Sequence, residues 1–364
     1  MAQIQIMGEV DKGCFMCACR LERNFFVHSV GEHFEYDGND EVFTRRYEAE
    51  AAARLNPSEQ PEDEFQRPLP PVDEVLTELR KQLEERRRAP EESRKRAAVI
   101  ADQYKRLRPE VFTLEPKHQL SPDFIRIASE LRACGSRPTA VNDCIASLCK
   151  EGLLRMPRQG LFIFDVLTPT FCGELVEELD HFKASGLPKT APNTMNRHGA
   201  IMRELGFSEG LLDPFVAEYV DPIAAKLLPL QAEGLDSYRA FTVCYDAADG
   251  DHDLAMHYDN AEVTLNVNIG GNWAGGEVTF FGPQATRAGG EQDPISLSLA
   301  CGEGVLHSAR ELHQAEPVTA GERQNLILWC RSSPVRNEQC PMCCGAPRLV
   351  PTNQHAHEGF TVPN

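Results

Sequence analysis

The sequence predicts an α+β chain in which a mostly helical first part precedes an antiparallel β-sandwich or jelly roll. Three observations predict it. Up to about residue 155, apolar residues recur at three- and four-residue spacing between helix-start and helix-stop signals. From Arg239 onward, short β-rich runs alternate with Gly-containing turns. No internal repeat of solenoid type runs through either part.

In chain order, Cys14-Phe-Met-Cys17-Ala-Cys19 opens a stretch of two or three short elements that reaches Arg54. Residues 56–71 carry five Pro and several acids and read as a linker. Val75, Leu79 and Leu83 mark a helix on a charged background. Pro90-Glu91-Glu92 suits the first turn of a second helix, with Ile100, Tyr104 and Leu107 as its stripe. Arg86-Arg87-Arg88 and Arg94-Lys95-Arg96 read either as a basic patch or as a solvated face laced with i,i+4 ion pairs. The interleaved acids favour the second reading. Ser121-Pro122-Asp123 and Pro138 open two further helices, closed by Gly135 and Gly152. Leu161–Phe164 is strand-like. Thr168-Pro169 starts a helix carrying Leu175, Leu179 and Phe182, and another helix is expected near 213–228. The β runs are Ala240–Tyr245, Leu254–Tyr258, Val263–Ile269, Glu277–Phe281, Ile295–Leu299, Gly304–Leu306, Leu312–Val318 and Asn325–Cys330. The expected segments are a Cys-containing 1–55, the linker 56–71, a helical region 72–155, a catalytic domain 156–333 and a largely irregular Cys-containing tail 334–364.

Composition narrows the function classes. The chain has 364 residues, with 37 Lys plus Arg against 55 Asp plus Glu, a net charge of −18. Such a surface repels phosphates, so nucleic acid is a disfavoured partner. No run of about 20 apolar residues is present, so no membrane span is expected. The N-terminus has no secretory pattern. An odd count of 13 Cys fits reduced thiols, and hence an intracellular protein of cytoplasm or nucleus rather than a secreted one.

The chemistry concentrates in the β region. His257-Tyr258-Asp259 places an imidazole and a carboxylate two residues apart, on one face if both lie on a strand. Two His and one carboxylate on one face of a metal leave the opposite positions open, as in non-haem Fe(II) oxygenases. His307 and His313 are the candidates for the third ligand. His313 is preferred because of the residues C-terminal to it: Pro317-Val318, then a turn at Ala320-Gly321, then Arg323 at the head of a strand that is apolar on both faces. Alone, Arg323 reads as a surface salt bridge. Ten residues after a metal-ligating His, it reads as an anchor for an anion, the far carboxylate of 2-oxoglutarate. Thr264 and Asn266 lie on the next buried strand, and Gly275-Gly276 permits close backbone approach. Tyr245 is either a hydroxyl donor to the co-substrate or a core aromatic.

His257-x-Asp259, Gly275-Gly276, His313 with Pro317-Val318, Gly321 and Arg323 together resemble the 2-oxoglutarate/Fe(II) dioxygenases of the prolyl and lysyl hydroxylase type. Pro192–Asn196, Thr264–Val267, Val335–Asn337 and Cys340–Cys344 extend the resemblance over nearly the whole chain. It implies a double-stranded β-helix, Fe(II) on His257, Asp259 and His313, and 2-oxoglutarate on Arg323. It also implies L-ascorbate as reductant. The implied activity is hydroxylation of a protein or peptide side chain with release of succinate and CO2. Pro192–Gly199 is expected near the substrate mouth. The other readings are a zinc-bridged adaptor with a non-catalytic oxygenase fold, and a jelly-roll metalloenzyme without a keto acid, which would need no Arg323. Cys14, Cys17, Cys340 and Cys343 are candidates for a structural zinc shared by the two termini, or else unliganded thiols. His355 and His357 read as tail residues, and Cys301 and Cys330 as core.

Overall fold

The structure is a computed structural model that describes residues 14–23, 25–27, 29–30, 32–54, 69–248, 252–283 and 293–352. Most of the expected linker, together with His355 and His357, lies outside the described residues.

The N-terminal part contains β1 (Cys14–Cys17), α1 (Cys19–Glu22), β2 (Phe25–Val27), β3 (Glu32–Phe34) and α2 (Asp40–Arg54). Phe25, Phe34, Tyr36, Phe43 and Tyr47 form a small aromatic core there, closed by Val75, Leu79 and Leu83 of α3 (Val72–Gln103). Helix α3 is continuous, which corrects the expected break at Pro90. Pro90 removes one backbone donor. The ion pairs Arg88–Glu84 and Lys95–Glu91 flank it, and the two ends are anchored separately. Leu83 sits in the aromatic core and Ile100 in the main core.

The short α4 (Pro116–Gln119) leads into α5 (Pro122–Ala133) and α6 (Pro138–Lys150). The Ser121 hydroxyl accepts from Asp123 N at 3.2 Å to cap α5. β4 (Arg155–Arg158) and β5 (Leu161–Asp165) come next, then α7 (Pro169–Ala184), whose cap Thr168 accepts from Phe171 N at 3.1 Å. The helix expected near 213–228 is present as a continuous helical stretch, Ser208–Leu227, of mixed α and π character. Here α8 (Asp213–Phe215) and α9 (Asp221–Leu227) alternate with π-helical Ser208–Leu212 and Val216–Val220. Pro214 and Pro222 each lack the amide that an unbroken α-ladder needs.

All eight expected β runs are strands: β6 (Ser237–Asp246), β7 (Leu254–His257), β8 (Val263–Gly275), β9 (Val278–Pro283), β10 (Ile295–Leu297), β11 (Glu303–Ser308), β12 (Glu311–Ala315) and β13 (Val318–Arg331). They divide between two antiparallel sheets, ordered β4-β5-β11-β8-β13-β6 and β10-β9-β12-β7. The chain switches sheet at nearly every connection. That winding is the double-stranded β-helix.

Alternation along the larger sheet separates two environments. Val263, Leu265, Val267 and Ile269 of β8, with Leu326 and Leu328 of β13, meet α5 to α9 in one core. That core also takes Ile100 and Leu131, so the helical region packs directly on the barrel. Thr264 and Asn268, Arg323 and Asn325 carry the opposite parity and line the barrel interior, buried but polar.

The expected turn at Ala320-Gly321 is absent. Strand β13 begins at Val318 and runs straight through. Gly321 adopts φ +71°, and a Cβ there would lie 1.8 Å from the Asn272 carbonyl oxygen, so the position is a kink pressed on β8. The tail is also more ordered than expected. α10 (Ser333–Glu338) succeeds the barrel, and β14 (Leu349–Thr352) pairs antiparallel with β1. Among the described residues, no helix is long and apolar enough to cross a membrane.

Candidate active site

His257 is the last residue of β7, and His313 lies opposite it in register on β12. Their ring centroids are 4.3 Å apart. Asp259 does not share the strand with His257, in contrast to the placement that strand alternation suggests. It lies just beyond the strand end, its amide donating to the Ala309 carbonyl at 3.1 Å. The carboxylate therefore reaches the histidines from the loop between β7 and β8. His257 Nε2 is 3.5 Å from Asp259 Oδ1, and His313 Nε2 is 3.8 Å from Asp259 Oδ2. The three candidate ligand atoms lie within 4.8 Å of one another.

Both imidazoles are oriented from behind. His257 Nδ1 meets the Ala255 carbonyl at 2.8 Å, and His313 Nδ1 meets the Glu311 carbonyl at 2.9 Å. A carbonyl only accepts, so each Nδ1 is the donor and Nε2 keeps its lone pair toward the centre. The Thr264 hydroxyl donates to Asp259 Oδ2 at 2.6 Å and fixes the carboxylate. Burial works against the Asp259 charge, but His313 and His257 outweigh it and hold the carboxyl well below its ordinary range. Burial and neighbouring His257 push His313 down to about 3, so it is neutral at physiological pH. For His257, burial is outweighed by the bond and charge of Asp259, and its pKa lies above the ordinary value. One anionic and two oriented nitrogen ligands, with little solvent around them, suit a divalent transition metal.

Arg323 is 4% exposed and sits inside β13, across from Tyr245 of β6 and Gly271 of β8. It is therefore not at a strand head and not a surface ion pair. Its Cζ lies 4.9 Å from the centre of the Tyr245 ring, and its Nε is buried with no partner. Among the described residues it forms no salt bridge, and burial lowers its pKa. Such a guanidinium calls for an anion. Arg323 lines a narrow cleft with Asn268, Asn325, Trp273, Gly276 and Val278, among others. Gly276 adopts φ +71° against Val318 and Arg323, where a Cβ would lie 2.8 Å from Val318 Cγ2 and 3.4 Å from Arg323 Nη1.

The three candidate ligands do not line that cleft. The two are joined along shared inner faces of the strands. Val278 lines the cleft, and Phe280, two residues on, stacks on His313 at 5.4 Å. Likewise Asn268 lines the cleft and Thr264 bonds Asp259.

The Tyr245 hydroxyl accepts from Asn196 Nδ2 at 2.9 Å, and the ring packs in a buried cluster with Phe241 and Val243. His307 is buried beside His313, at 5.0 Å between centroids, but is not one of the three grouped ligands. Sequence reasoning does not identify the Asn196–Tyr245 bond, the packing of Phe280 on His313 or the Thr264–Asp259 bond. Only the parity of Thr264 on its strand hints at the last. At the termini, Cys17, Cys19, Cys340 and Cys343 come together. Cys19, which spacing does not single out, is in the group, while the side chain of the expected Cys14 lies outside the described residues.

The OGFOD2-like domain model matches residues 100–232. The Xenopus tropicalis 2-oxoglutarate and iron-dependent oxygenase domain-containing protein 2 is 36% identical over 357 residues, covering 98% of this chain and 95% of that protein. The chain belongs to this family. It is thereby a dioxygenase dependent on iron and 2-oxoglutarate. The Homo sapiens member is 37% identical over 354 residues, 95% of this chain and 93% of its own. A multifunctional procollagen lysine hydroxylase and glycosyltransferase of Rattus norvegicus is 28% identical over 193 residues, 49% of this chain and 24% of that protein. The barrel of this chain holds a grouped His-Asp-His set and a buried Arg323 whose Nε has no hydrogen-bond partner.

Proposed function

We propose that His257, Asp259 and His313 hold one ferrous ion, and that Arg323 anchors the far carboxylate of 2-oxoglutarate. The protein then hydroxylates a C–H bond of a protein or peptide side chain and releases succinate and CO2. The observation that carries this reading is the pairing of three convergent ligand atoms with a buried Arg323 on the same barrel interior. Iron with bound 2-oxoglutarate supplies the oxygen-activating chemistry.

The chain's own residues bind, orient and exclude water. The Ala255 and Glu311 carbonyls keep both Nε2 atoms aimed inward, and Thr264 holds the carboxylate. Arg323 neutralises the co-substrate, and Tyr245, held by Asn196, forms a wall against its guanidinium. Ascorbate serves to keep the iron ferrous.

Two observations support a peptide substrate. The rat relative is named as a lysine hydroxylase of procollagen. Exposed Met256 immediately precedes His257, and exposed Met195 lies in the segment hydrogen-bonded along β6 through His198 and Ala200. Exposed thioethers adapt to varied side chains.

The test is anaerobic. Fe(II) and then 2-oxoglutarate are added, and a metal-to-ligand charge-transfer band is expected that is absent in His313→Ala. Iron bound without such a band would overturn chelation by the keto acid and favour the scaffold reading. Peptide-stimulated succinate release then tests the substrate class.

A further inference from the structure

A second metal-competent group lies far from the barrel interior in sequence and joins the two ends of the chain. We propose that Cys17, Cys19, Cys340 and Cys343 bind one Zn²⁺ as a tetrathiolate that fastens the N-terminal part to the barrel. This goes beyond the dioxygenase reading and does not depend on it.

Distance is the first argument. Cys17 Sγ is 3.9 Å from Cys343 Sγ, and Cys19 Sγ is 3.6 Å from Cys340 Sγ. All four sulfurs lie within 4.8 Å of one another. A tetrahedron with Zn–S bonds of about 2.3 Å has S···S edges of about 3.8 Å. A disulfide would require about 2.05 Å.

Local backbone is the second argument. Cys340-Pro-Met-Cys343-Cys344-Gly345 folds into a tight loop. Cys344 N donates to the Cys340 carbonyl at 2.9 Å, Cys340 N donates to the Gly345 carbonyl at 2.9 Å, and Cys344 adopts φ +59°. This turn aims the Met342 and Cys343 amides at the Cys340 sulfur and the Gly345 amide at the Cys343 sulfur. Amides aimed at sulfur favour thiolate over thiol. Cys19 and Cys340 are buried, and Cys17 and Cys343 half-buried, so the ion would be largely shielded.

The clamp has something to hold at each end. On the N-terminal side, Arg86 of α3 donates to the Arg20 and Arg23 carbonyls at 2.8 and 2.7 Å, which ties α1 to the long helix. β1 pairs with β14, and Ala18 N donates to the Arg348 carbonyl at 2.8 Å. On the barrel side, Cys340 comes just after α10, whose Arg336 is buried against Glu262 at 3.0 Å and against Asn260 Oδ1 at 3.2 Å. Both partners lie in the segment that carries Asp259. The zinc therefore secures the helix that backs the loop holding Asp259.

The experiment is metal analysis of the purified full-length protein and two variants. One zinc per chain is expected in the wild type and in His257→Ala, and none in Cys340→Ser/Cys343→Ser. Should the double serine variant not fold, cobalt grown into the His257→Ala protein is the second readout. Sulfur-to-cobalt charge transfer with the d–d bands of tetrahedral cobalt supports the tetrathiolate. Zinc lost in His257→Ala but kept in the cysteine variant would overturn the proposal. So would a zinc-free wild type whose four thiols alkylate rapidly, or one in which peptide mapping finds Cys17–Cys343 or Cys19–Cys340 disulfides.

Discussion

His313 of β12 stands directly across from His257 of β7, and the two imidazoles are held with Nε2 inward by backbone carbonyls two residues before each. One strand pair thus supplies both nitrogen ligands in rigid geometry, and only the carboxylate comes from a loop. Asp259→Ala is expected to abolish iron binding, and His257→Ala and His313→Ala to do the same. Iron quantification after anaerobic loading, with circular dichroism to verify folding, checks this. Retention of stoichiometric iron by any of the three would remove that residue from the ligand set.

Thr264→Val deletes the hydroxyl that fixes Asp259 and keeps the shape of the side chain. Loss of such a partner behind a ligand lowers metal affinity by about 10–100-fold. Competition with a chelator measures the change, and an unaltered dissociation constant would show that the 2.6 Å bond has no role in holding the metal.

Arg323→Ala should leave iron bound and raise the 2-oxoglutarate KM. Removing one partner of a buried charge pair costs roughly 2–5 kcal/mol, which corresponds to a rise of about 30-fold or more. Arg323→Lys keeps the charge without the two-pronged geometry and should fall between. A KM unchanged in the alanine variant would assign the co-substrate carboxylate elsewhere.

Iron affinity should fall on acidification, and His257 sets the sign. A protonated imidazole has no lone pair to give a metal. The pKa of His257 lies above its ordinary value, because Asp259 favours the cation more than burial disfavours it. Proton competition therefore begins above about pH 6.5 and strengthens as pH falls. His313, pushed down to about 3, adds nothing in this window. Iron dissociation constants measured from about pH 8 to about pH 6 provide the check, and a flat profile would contradict it.

Glu262→Ala leaves Arg336 buried without its carboxylate and deprives the Ser332 amide of its acceptor at 2.9 Å. Breaking a buried pair costs about 3–5 kcal/mol. A lowered Tm in thermal unfolding is expected, with looser iron binding because the neighbouring Asp259 segment loses its support.

Much of the site was legible in the residue order. A His-x-Asp pair, a later His and an Arg ten residues on restrict the chemistry because few other uses require that set. The eight strands were legible as short β-rich runs set apart by Gly-containing turns. Arg323 was harder. Its true surroundings depend on β13 running through Gly321, and that kink is decided by contact with Asn272 of the adjacent strand. Pro90 was misleading for the opposite reason. A proline's local preference for a helix start yielded to anchors at both ends of α3, in two different cores.

The string of residues settles which groups exist and how they are spaced along the chain. Spacing specifies alternation, caps and a short-range pair such as His257 and Asp259. It says nothing of groups brought together by pairing strands distant in sequence. The Thr264 bond to Asp259, the Asn196 bond to Tyr245 and the meeting of Cys17 and Cys19 with Cys340 and Cys343 arise from such pairing. Register and burial are cooperative properties of the whole barrel, so only the folded chain could bring Cys19 beside Cys340, or bury Arg323 in the barrel interior.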